Sequence, residues 1–223
     1  MKRKVIITAD GSSTIHLPDW DEQYHSKHGA IQEANHVFIK SGLSLFSDNE
    51  IDILEIGFGT GLNTVITFLE APKLNLIINY VGVDAYPVTD EEINKLNYVT
   101  ELDIKNNNTV FDTIHKQEWE LKNEISPSFS LLKRKQFFNE INDEERFNLI
   151  YFDAFGAKVQ PELWTEDIFN LMYKALKKEG VLVTYCAKGS VRRAMQSVGF
   201  TVERLPGPPG KREMLRATKL QRS

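Results

Sequence analysis

Apolar and polar positions follow two different periods along most of this chain. Short apolar runs predict buried strands at residues 51–56, 77–83, 128–133, 147–152 and 181–186. Between them, apolar residues three or four positions apart predict helices at residues 62–69, 89–98, 109–122, 165–178 and 190–198. Strands that alternate with helices in this way form a parallel, doubly wound sheet with helices on both faces.

The end of the chain breaks this alternation. Residues 200–205 and 213–218 are apolar runs on either side of the loop Pro206-Gly-Pro-Pro-Gly210, so they predict an antiparallel pair. The predicted fold class is therefore α/β, with a seven-stranded, mostly parallel sheet whose final pair is antiparallel.

Local signals support the predicted helix ends. Thr89 with Glu92 matches a capping box, and Thr165 followed by two acidic residues is a favourable N-cap. Pro72 and Gly180 are expected to stop the helices that precede them.

The first 50 residues carry a pattern of their own. Residues 4–17 read as a hairpin around Asp10-Gly11, and residues 29–40 have the apolar spacing of a helix. We expect residues 1–50 to form a hairpin and helix packed on a main domain of residues 51–223.

Composition indicates an ordinary globular protein. Of the 223 residues, 41% are hydrophobic and 26% are charged, and no apolar run approaches the length of a membrane span. The single cysteine, Cys186, excludes an internal disulfide framework and a cysteine-rich metal site. We therefore expect a soluble, cytoplasmic protein that does not bind a membrane.

Charge is distributed unevenly along the chain. Residues 171–223 hold 12 of the 27 Lys and Arg residues but only three of the 31 acidic ones. This basic segment is typical of a surface that binds a polyanion, and equally of a solvated helix face followed by a basic tail.

The most specific motif follows the first predicted strand of the alternating region. Gly57, Gly59 and Gly61 alternate with other residues, and Glu55 precedes them. The dinucleotide fingerprint G-x-G-x-x-G is not met, because its third glycine would fall at Leu62. A carboxylate beside the turn favours the cationic methionine end of S-adenosylmethionine over a pyrophosphate. A glycine turn without a ligand is the alternative.

Acidic residues recur where the predicted strands end. Asp84 follows the second strand, 23 residues after Gly61, and Asp153 follows the fourth. Since ligands of open α/β sheets lie outside the carboxyl ends of the strands, Asp84 is placed to accept hydrogen bonds from two ribose hydroxyls. An ordinary turn or helix cap is the alternative for each aspartate.

The glycine turn, Asp84 and the predicted strands together resemble the Rossmann-like S-adenosylmethionine-dependent methyltransferases over residues 51–218. Three further segments, residues 21–38, residues 151–164 and the motifs within residues 189–215, are similar to the methyltransferase half of the MnmC family of tRNA 5-methylaminomethyl-2-thiouridine biosynthesis proteins. The resemblance therefore extends over most of the chain.

This resemblance implies methyl transfer from S-adenosylmethionine to the exocyclic amine of 5-aminomethyluridine at the wobble position of tRNA. The fused members of the family add an FAD-dependent domain, which we do not find in this sequence. We therefore expect a stand-alone enzyme that binds tRNA and S-adenosylmethionine without FAD.

The resemblance also assigns roles to individual residues. Asp153 is the candidate that orients the acceptor amine and takes its proton, while Phe155 or Tyr151 excludes water. Methyltransferases often carry Gly-Asp after the third strand near adenine; this chain does not, so Gln136 is the best polar substitute. The expected cofactor-binding residues are Tyr24, Gln32, Glu55, Gly57, Phe58, Gly59, Gly61, Asn63, Asp84, Ala85 and Gln136.

For the nucleic acid, basic and aromatic side chains are the candidates. We expect Arg192, Arg193, Lys211 and Arg212 to contact phosphates and Phe155 or Trp164 to stack on the flipped uridine. Trp164 also suits a hydrophobic staple before the Thr165 cap.

The histidines lack the spacing and partners of a metal site, and we predict none. The alternatives for the whole chain are an N-methyltransferase of a small molecule or a protein, and a cofactor-free interaction domain.

Overall fold

The computed structural model describes residues 2–104 and 109–220. Its strands are Lys4–Ile7 (β1), Ser13–Leu17 (β2), Glu22–Gln23 (β3), Glu50–Ile56 (β4), Ile77–Val83 (β5), Lys122–Ser126 (β6), Phe129–Arg134 (β7), Phe147–Phe152 (β8), Leu176–Thr184 (β9), Thr201–Pro206 (β10) and Glu213–Thr218 (β11).

The α-helices lie mainly between the strands of the large sheet. They are Ala30–Ala34 (α1), Leu62–Glu70 (α2), Asp90–Ile93 (α3), Tyr98–Glu101 (α4), Val110–Lys116 (α5), Glu166–Ala175 (α6) and Gly189–Ser197 (α7). A π-helical segment, Asn35–Lys40, continues α1, and short 3₁₀ turns are found at Leu43–Leu45, Ala71–Leu74, Phe138–Glu140 and Pro161–Trp164.

The main sheet has eight strands in the order β10-β11-β9-β8-β4-β5-β7-β6. The five central strands, from β9 to β7, are parallel, while β6, β10 and β11 are antiparallel to their neighbours. The parallel strands run outward from β4 to β5 and β7 on one side and from β8 to β9 on the other, so the direction of strand addition reverses between β4 and β8. This arrangement confirms the predicted α/β fold class and places a ligand crevice at the carboxyl ends of β4 and β8.

The strand register brings two distant chain segments together at this crevice. Glu55 pairs with Tyr151 and Ile56 with Phe152, and the backbone N–H of Asp153 donates to the carbonyl oxygen of Ile56 at 2.9 Å. The glycine turn after β4 therefore lies directly beside Asp153.

Each face of the sheet is buried against its own set of helices. One core includes residues of α1, α2 and α5 with Phe38, Tyr80 and Tyr151, and the other includes residues of α6 and α7 with Phe152 and Phe169. Burial of these apolar side chains holds both helical layers on the sheet.

The helix expected at residues 109–122 is shorter in the structure, and a strand absent from the prediction, β6, follows it. Helix α5 ends at Lys116. The ammonium of Lys133 caps this end by donating to the carbonyl oxygens of Ile114 and His115 at 3.0 and 2.9 Å. The chain then forms the edge strand β6, whose charged side chains suit a sheet edge.

Two other helices are shorter than their patterns indicated. Thr89 and Glu92 form the expected capping box, but the segment up to Tyr98 divides into α3 and the start of α4. Thr165 caps α6 as expected, yet α6 ends at Ala175 and β9 runs straight through Gly180. The long β9 is anchored by Lys177, whose ammonium donates to Asp52 and Asn148 at 2.8 and 2.9 Å.

The N-terminal hairpin pairs β1 with β2 as expected, and the two-residue β3 adds to its edge. Arg3 fastens this small sheet to the loop after β5 by donating to the carbonyl oxygen of Tyr86 at 2.8 Å and to Glu92 at 3.2 Å. His25 binds Thr60 of the glycine turn at 2.8 Å. The N-terminal segment is therefore attached to the same edge of the sheet that carries the crevice.

Gly82, in β5, provides the space for Phe58 of the glycine turn. A Cβ atom at Gly82 would lie 2.4 Å from Cδ2 of Phe58, whose side chain is buried. We predict that Gly82→Val lowers the free energy of unfolding by about 1–3 kcal/mol through overpacking, as measured by urea denaturation. Gly156→Ala is the control because its Cβ would meet the nearest atom at 3.4 Å. Equal stability of wild type and Gly82→Val would contradict this account.

Candidate active site

The glycine turn adopts a conformation that residues with side chains rarely adopt. Gly57 has φ 91°, and a Cβ atom there would lie 2.6 Å from the carbonyl oxygen of Asp153. The backbones after β4 and β8 therefore approach each other more closely than any other residue at position 57 would allow. Gly59 and Gly61 also have positive φ, and Gly61 precedes the first turn of α2.

Asp84 connects this turn with the loop after β5. One carboxylate oxygen accepts from the backbone N–H of Gly59 at 2.9 Å and the other from the N–H of Tyr86 at 2.8 Å. Burial raises the pKa of Asp84, and these two hydrogen bonds oppose the shift. Each oxygen keeps an acceptor position for a ligand hydroxyl.

Glu55 is fully buried and is held by three donors from the protein. Its carboxylate accepts from Asn63 Nδ2 at 2.9 Å, from Thr64 Oγ1 at 3.2 Å and from Tyr80 OH at 2.8 Å. Burial raises the pKa of Glu55 to about 8 despite these hydrogen bonds, and the charge of Asp153 adds to the shift. Glu55 thus lies one layer beneath the turn, bonded to protein groups.

Asn63 joins Glu55 to Asp153. The same amide nitrogen lies 2.9 Å from Oε1 of Glu55 and 2.9 Å from Oδ2 of Asp153. Asn63 is 2% exposed, and its Oδ1 has no hydrogen-bond partner among the described residues. A buried acceptor without a partner is costly, so this oxygen fits a donor supplied by a ligand.

Asp153 lies at the mouth of the crevice. Burial is the largest influence on its carboxyl, followed by the charge of Glu33, and together they raise its pKa to about 7. The hydrogen bond from Asn63 and the charge of Lys211 act in the opposite direction. A carboxyl that titrates near neutral pH is suited to accept a proton from an amine.

Aromatic side chains form the wall between the glycine turn and the Asp153 loop. The ring of Tyr24 lies 3.0 Å from where a Cβ atom of Gly59 would be, and its centroid is 4.9 Å from that of Phe155. Trp20 makes an edge contact with Phe155 at 5.9 Å and is 37% exposed. Tyr24, predicted to bind the cofactor, and Phe155, predicted to lie on the acceptor side, are therefore in contact with each other, and Trp20, which the sequence analysis did not name, joins them.

Two charged residues at this site were also missed or interpreted differently. Glu33 is buried on α1, and the ammonium of Lys211 donates to its carboxylate. The spacing offered a signal, because Glu33 lies three residues after Ala30 and four before Val37 and so shares their buried helix face. The neighbouring Gln32 is exposed and lines a shallow groove with His36 and Pro209, away from the crevice.

Other predicted residues have varied positions. Trp164 is 5% exposed, packs against Phe152 and donates from Nε1 to the carbonyl oxygen of Phe155 at 2.8 Å, so its ring supports the loop from the core. Phe58 is buried beneath the turn. Ala85 and Gln136 are half-buried at the ends of β5 and β7.

The basic candidates are separated by the structure. Arg193 and Arg212 are exposed, whereas Arg192 is half-buried with an Nε atom that lacks a partner among the described residues. Lys211 is paired with Glu33.

The part of the chain that the structure describes contains no helix with the length and hydropathy of a membrane span. Within residues 2–104 and 109–220, His, Cys, Asp and Glu side chains form no group of three or more arranged to hold a metal ion.

Comparison with known proteins agrees with this geometry. The family model of S-adenosyl-L-methionine-dependent methyltransferases matches residues 107–220, which is about half of the chain. The chain therefore belongs to this family of methyltransferases, whose methyl donor is S-adenosylmethionine.

More specific similarity is to the bifunctional proteins MnmC, named for tRNA 5-methylaminomethyl-2-thiouridine biosynthesis. The protein of Leptospira interrogans is 28% identical over 88% of this chain, and that of Hydrogenovibrio crunogenus is 25% identical over 87%. These matches confirm the resemblance seen in the sequence. The chain spans about a third of the length of these curated relatives.

Solved structures show the same fold. MNMC2 from Aquifex aeolicus superposes with a TM-score of 0.79 at 24% identity, covering 97% of this chain and 69% of that one. Spermidine synthase from Thermotoga maritima superposes with a TM-score of 0.52 at 15% identity, covering 97% of this chain and 72% of that one.

The raised pKa values of Glu55 and Asp153 predict an unusual dependence of stability on pH. Because the pKa of Glu55 is raised to about 8 and that of Asp153 to about 7, the folded protein retains protons that the unfolded chain loses near pH 4. The stability that these retained protons contribute is fully present below about pH 4 and is lost as the pH rises toward 8. We predict that Glu55→Gln makes stability fall less steeply between about pH 5 and pH 8, measured by urea denaturation of the ligand-free protein.

The matched control is Glu50→Gln, which changes an exposed carboxyl on the same strand. It should retain the wild-type slope. Identical slopes for wild type and Glu55→Gln would show that Glu55 does not hold a proton in the folded state at neutral pH.

Proposed function

We propose that this chain transfers the methyl group of S-adenosylmethionine to the exocyclic amine of 5-aminomethyluridine, or its 2-thio form, at the wobble position of tRNA. The observation that carries the proposal is a carboxyl with a raised pKa, that of Asp153, held at the carboxyl edge of a methyltransferase sheet beside the glycine turn. The names of the related MnmC proteins supply the substrate.

The residues around the turn fit the methyl donor. Asp84 offers acceptor positions to the ribose hydroxyls, and Ala85 and Gln136 lie at the ends of neighbouring strands on the adenine side. The unpartnered Oδ1 of Asn63 suits the ammonium of the methionine end. Tyr24 covers the turn. Because Gly57 lies so close to the backbone of Asp153, the backbone of the turn can approach the methyl donor. Gln32 is left out of this set because it is exposed elsewhere.

The donor supplies an electrophilic methyl group, and the protein prepares the nucleophile. A primary amine is mostly protonated near pH 7, so it must lose a proton before it attacks. Asp153 accepts that proton and orients the amine, since its pKa of about 7 allows it to be ionised and still basic. Tyr24, Phe155 and Trp20 exclude water from the reacting atoms.

Phe155 and Trp20 also offer ring faces and edges for the uridine base. Both belong to the aromatic wall, and Trp20 is partly exposed. Stacking on such side chains is a common means of holding a base that has left the helical stack. Trp164 supports this wall from the core, because its Nε1 donates a hydrogen bond to the carbonyl oxygen of Phe155.

The basic end of the chain supplies a smaller phosphate-binding surface than its composition suggests. Lys177, Arg204, Arg216 and Lys219 are engaged in ion pairs with acidic side chains. Exposed cations remain on the segments around the acceptor side, namely Lys158, Lys188, Arg193 and Arg212. We propose that these residues contact tRNA phosphates, with Arg192 next to them on α7.

Asp153→Asn tests the proposed reaction. The amide is close in shape but cannot accept the proton, so the rate of methylation of tRNA carrying 5-aminomethyluridine should fall on the order of 10²- to 10⁴-fold. Transfer of radiolabelled methyl groups measures the rate, and nucleoside analysis locates the product. Calorimetry should still show S-adenosylhomocysteine binding to the variant.

Two results would contradict the proposal. Undiminished methylation by Asp153→Asn would remove the proton acceptor from the mechanism. Methylation of a free amine or a peptide in preference to this tRNA would assign the site to another acceptor.

A further inference from the structure

Two charged side chains from distant parts of the chain meet beside Asp153. Glu33, on α1, is 6% exposed and accepts from the backbone N–H of Ser26 at 3.1 Å. Its other carboxylate oxygen accepts from Lys211, in the loop between β10 and β11. Both charges act on the carboxyl of Asp153, where Glu33 raises the pKa and Lys211 lowers it.

Lys211 also contacts an aromatic side chain close to Asp153 in the fold. Its ammonium lies 3.8 Å from the ring centroid of Tyr185, which follows β9. The hydroxyl of Tyr185 donates to the carbonyl oxygen of Ala154 at 2.8 Å. These contacts run from the N-terminal segment, through the β10–β11 loop, to the backbone next to Asp153.

We propose that Glu33 and Lys211 are positioning residues for Asp153. The pair closes the acceptor side of the pocket, fixes the Asp153 segment through Tyr185 and balances the charge that Asp153 experiences. This inference rests on the proposed role of Asp153 as proton acceptor.

The pair also replaces the role expected for Lys211 from the sequence. Its ammonium is held between a buried carboxylate and an aromatic face. The salt dependence of tRNA binding arises because protein cations that pair with phosphates release the counterions condensed on the tRNA. A lysine that is already neutralised by Glu33 contributes little to it.

Several titratable groups face Asp153 from different elements. They are Glu55 on β4, Glu33 on α1, Tyr98 on α4, Tyr185 after β9 and Lys211 in the β10–β11 loop. Glu33 and Lys211 differ from the others because they carry opposite charges in contact. Removing either one leaves its partner uncompensated beside Asp153.

The pH dependence of methylation provides the first test. Lys211→Met should raise the pKa of Asp153 and move the acid limb of the rate profile to higher pH by about one pH unit, whereas Glu33→Gln should move it to lower pH. The double variant should return the limb toward the wild-type position. Each single variant should lower kcat on the order of tenfold or more, with a smaller change in KM for tRNA.

Two variants serve as controls for this profile. Lys211→Arg keeps the charge and should recover most of the activity. Arg204→Met breaks the exposed pair with Glu213 on the same hairpin and should leave the acid limb in place. Thermal melting and S-adenosylhomocysteine binding identify any variant that fails to fold.

The salt dependence of tRNA binding provides the second test. Lys211→Met should leave the slope of log K against log salt unchanged, while Arg212→Met, at the exposed neighbouring position, should reduce the magnitude of the slope by about one. An equal reduction by both variants would assign Lys211 to a phosphate and overturn the inference.

The outcomes separate this inference from the proposed function. Acid limbs that move in the same direction, or do not move, in folded Lys211→Met and Glu33→Gln would overturn the positioning role alone if Asp153→Asn is inactive. Full activity of Asp153→Asn would overturn both.

Discussion

The carboxyl groups of Glu55 and Asp153 share one hydrogen-bond donor, the amide nitrogen of Asn63, at 2.9 Å each. This contact requires the carboxyl ends of β4 and β8 to lie side by side, and it is possible because Gly57 allows their backbones to touch. Burial is the main cause of the raised pKa of each carboxyl. The charge of Asp153 adds to the shift of Glu55, and the charge of Glu33 adds to the shift of Asp153. The proposed role of Asp153 as proton acceptor depends on this raised pKa.

The N-terminal segment belongs to the site as much as the sheet does. Arg3 ties it to the loop after Asp84, His25 ties it to Thr60 of the glycine turn, and Glu33 ties it to Lys211. Tyr24 lies between these attachments, directly over the turn. In the proposed mechanism this segment covers both the methyl donor and the acceptor, so binding of one would order the site for the other.

Much of the architecture was predictable because strands of this sheet are continuous apolar runs. The strands at Ile77–Val83 and Phe147–Phe152 match their patterns, and so do the acids that follow them. The edge strand β6 was missed because an edge tolerates charged residues, and Lys122 and Glu124 leave it without the continuous apolar run of the central strands. Helix α6 ends early where the chain enters β9, and there Lys177 donates hydrogen bonds to Asp52 and Asn148. Such long-range contacts leave no signal in the local sequence pattern.

Candidate site residues could be predicted where a polar residue directly follows a strand. They could not be predicted where they depend on a contact between distant parts of the chain. Asp84 and Asp153 directly follow strands, as the sequence indicated, and their roles in binding and catalysis stay predictions. Glu33 and the pairing of Lys211 were not predicted, because the two residues are joined only by the fold. Gln32, predicted to bind the cofactor, lies on the exposed face of its helix, whereas its neighbour Glu33 lies on the buried face.

The central claim is that burial and neighbouring negative charges keep the carboxyls of Glu55 and Asp153 titrating near neutral pH. A ¹³C NMR titration of the side-chain carboxyl carbons, assigned with Asp153→Asn and Glu55→Gln, measures both directly. The account predicts a pKa of about 7 for Asp153 and about 8 for Glu55 in the ligand-free protein. Titration of both groups near pH 4, as in an unperturbed acid, would contradict it.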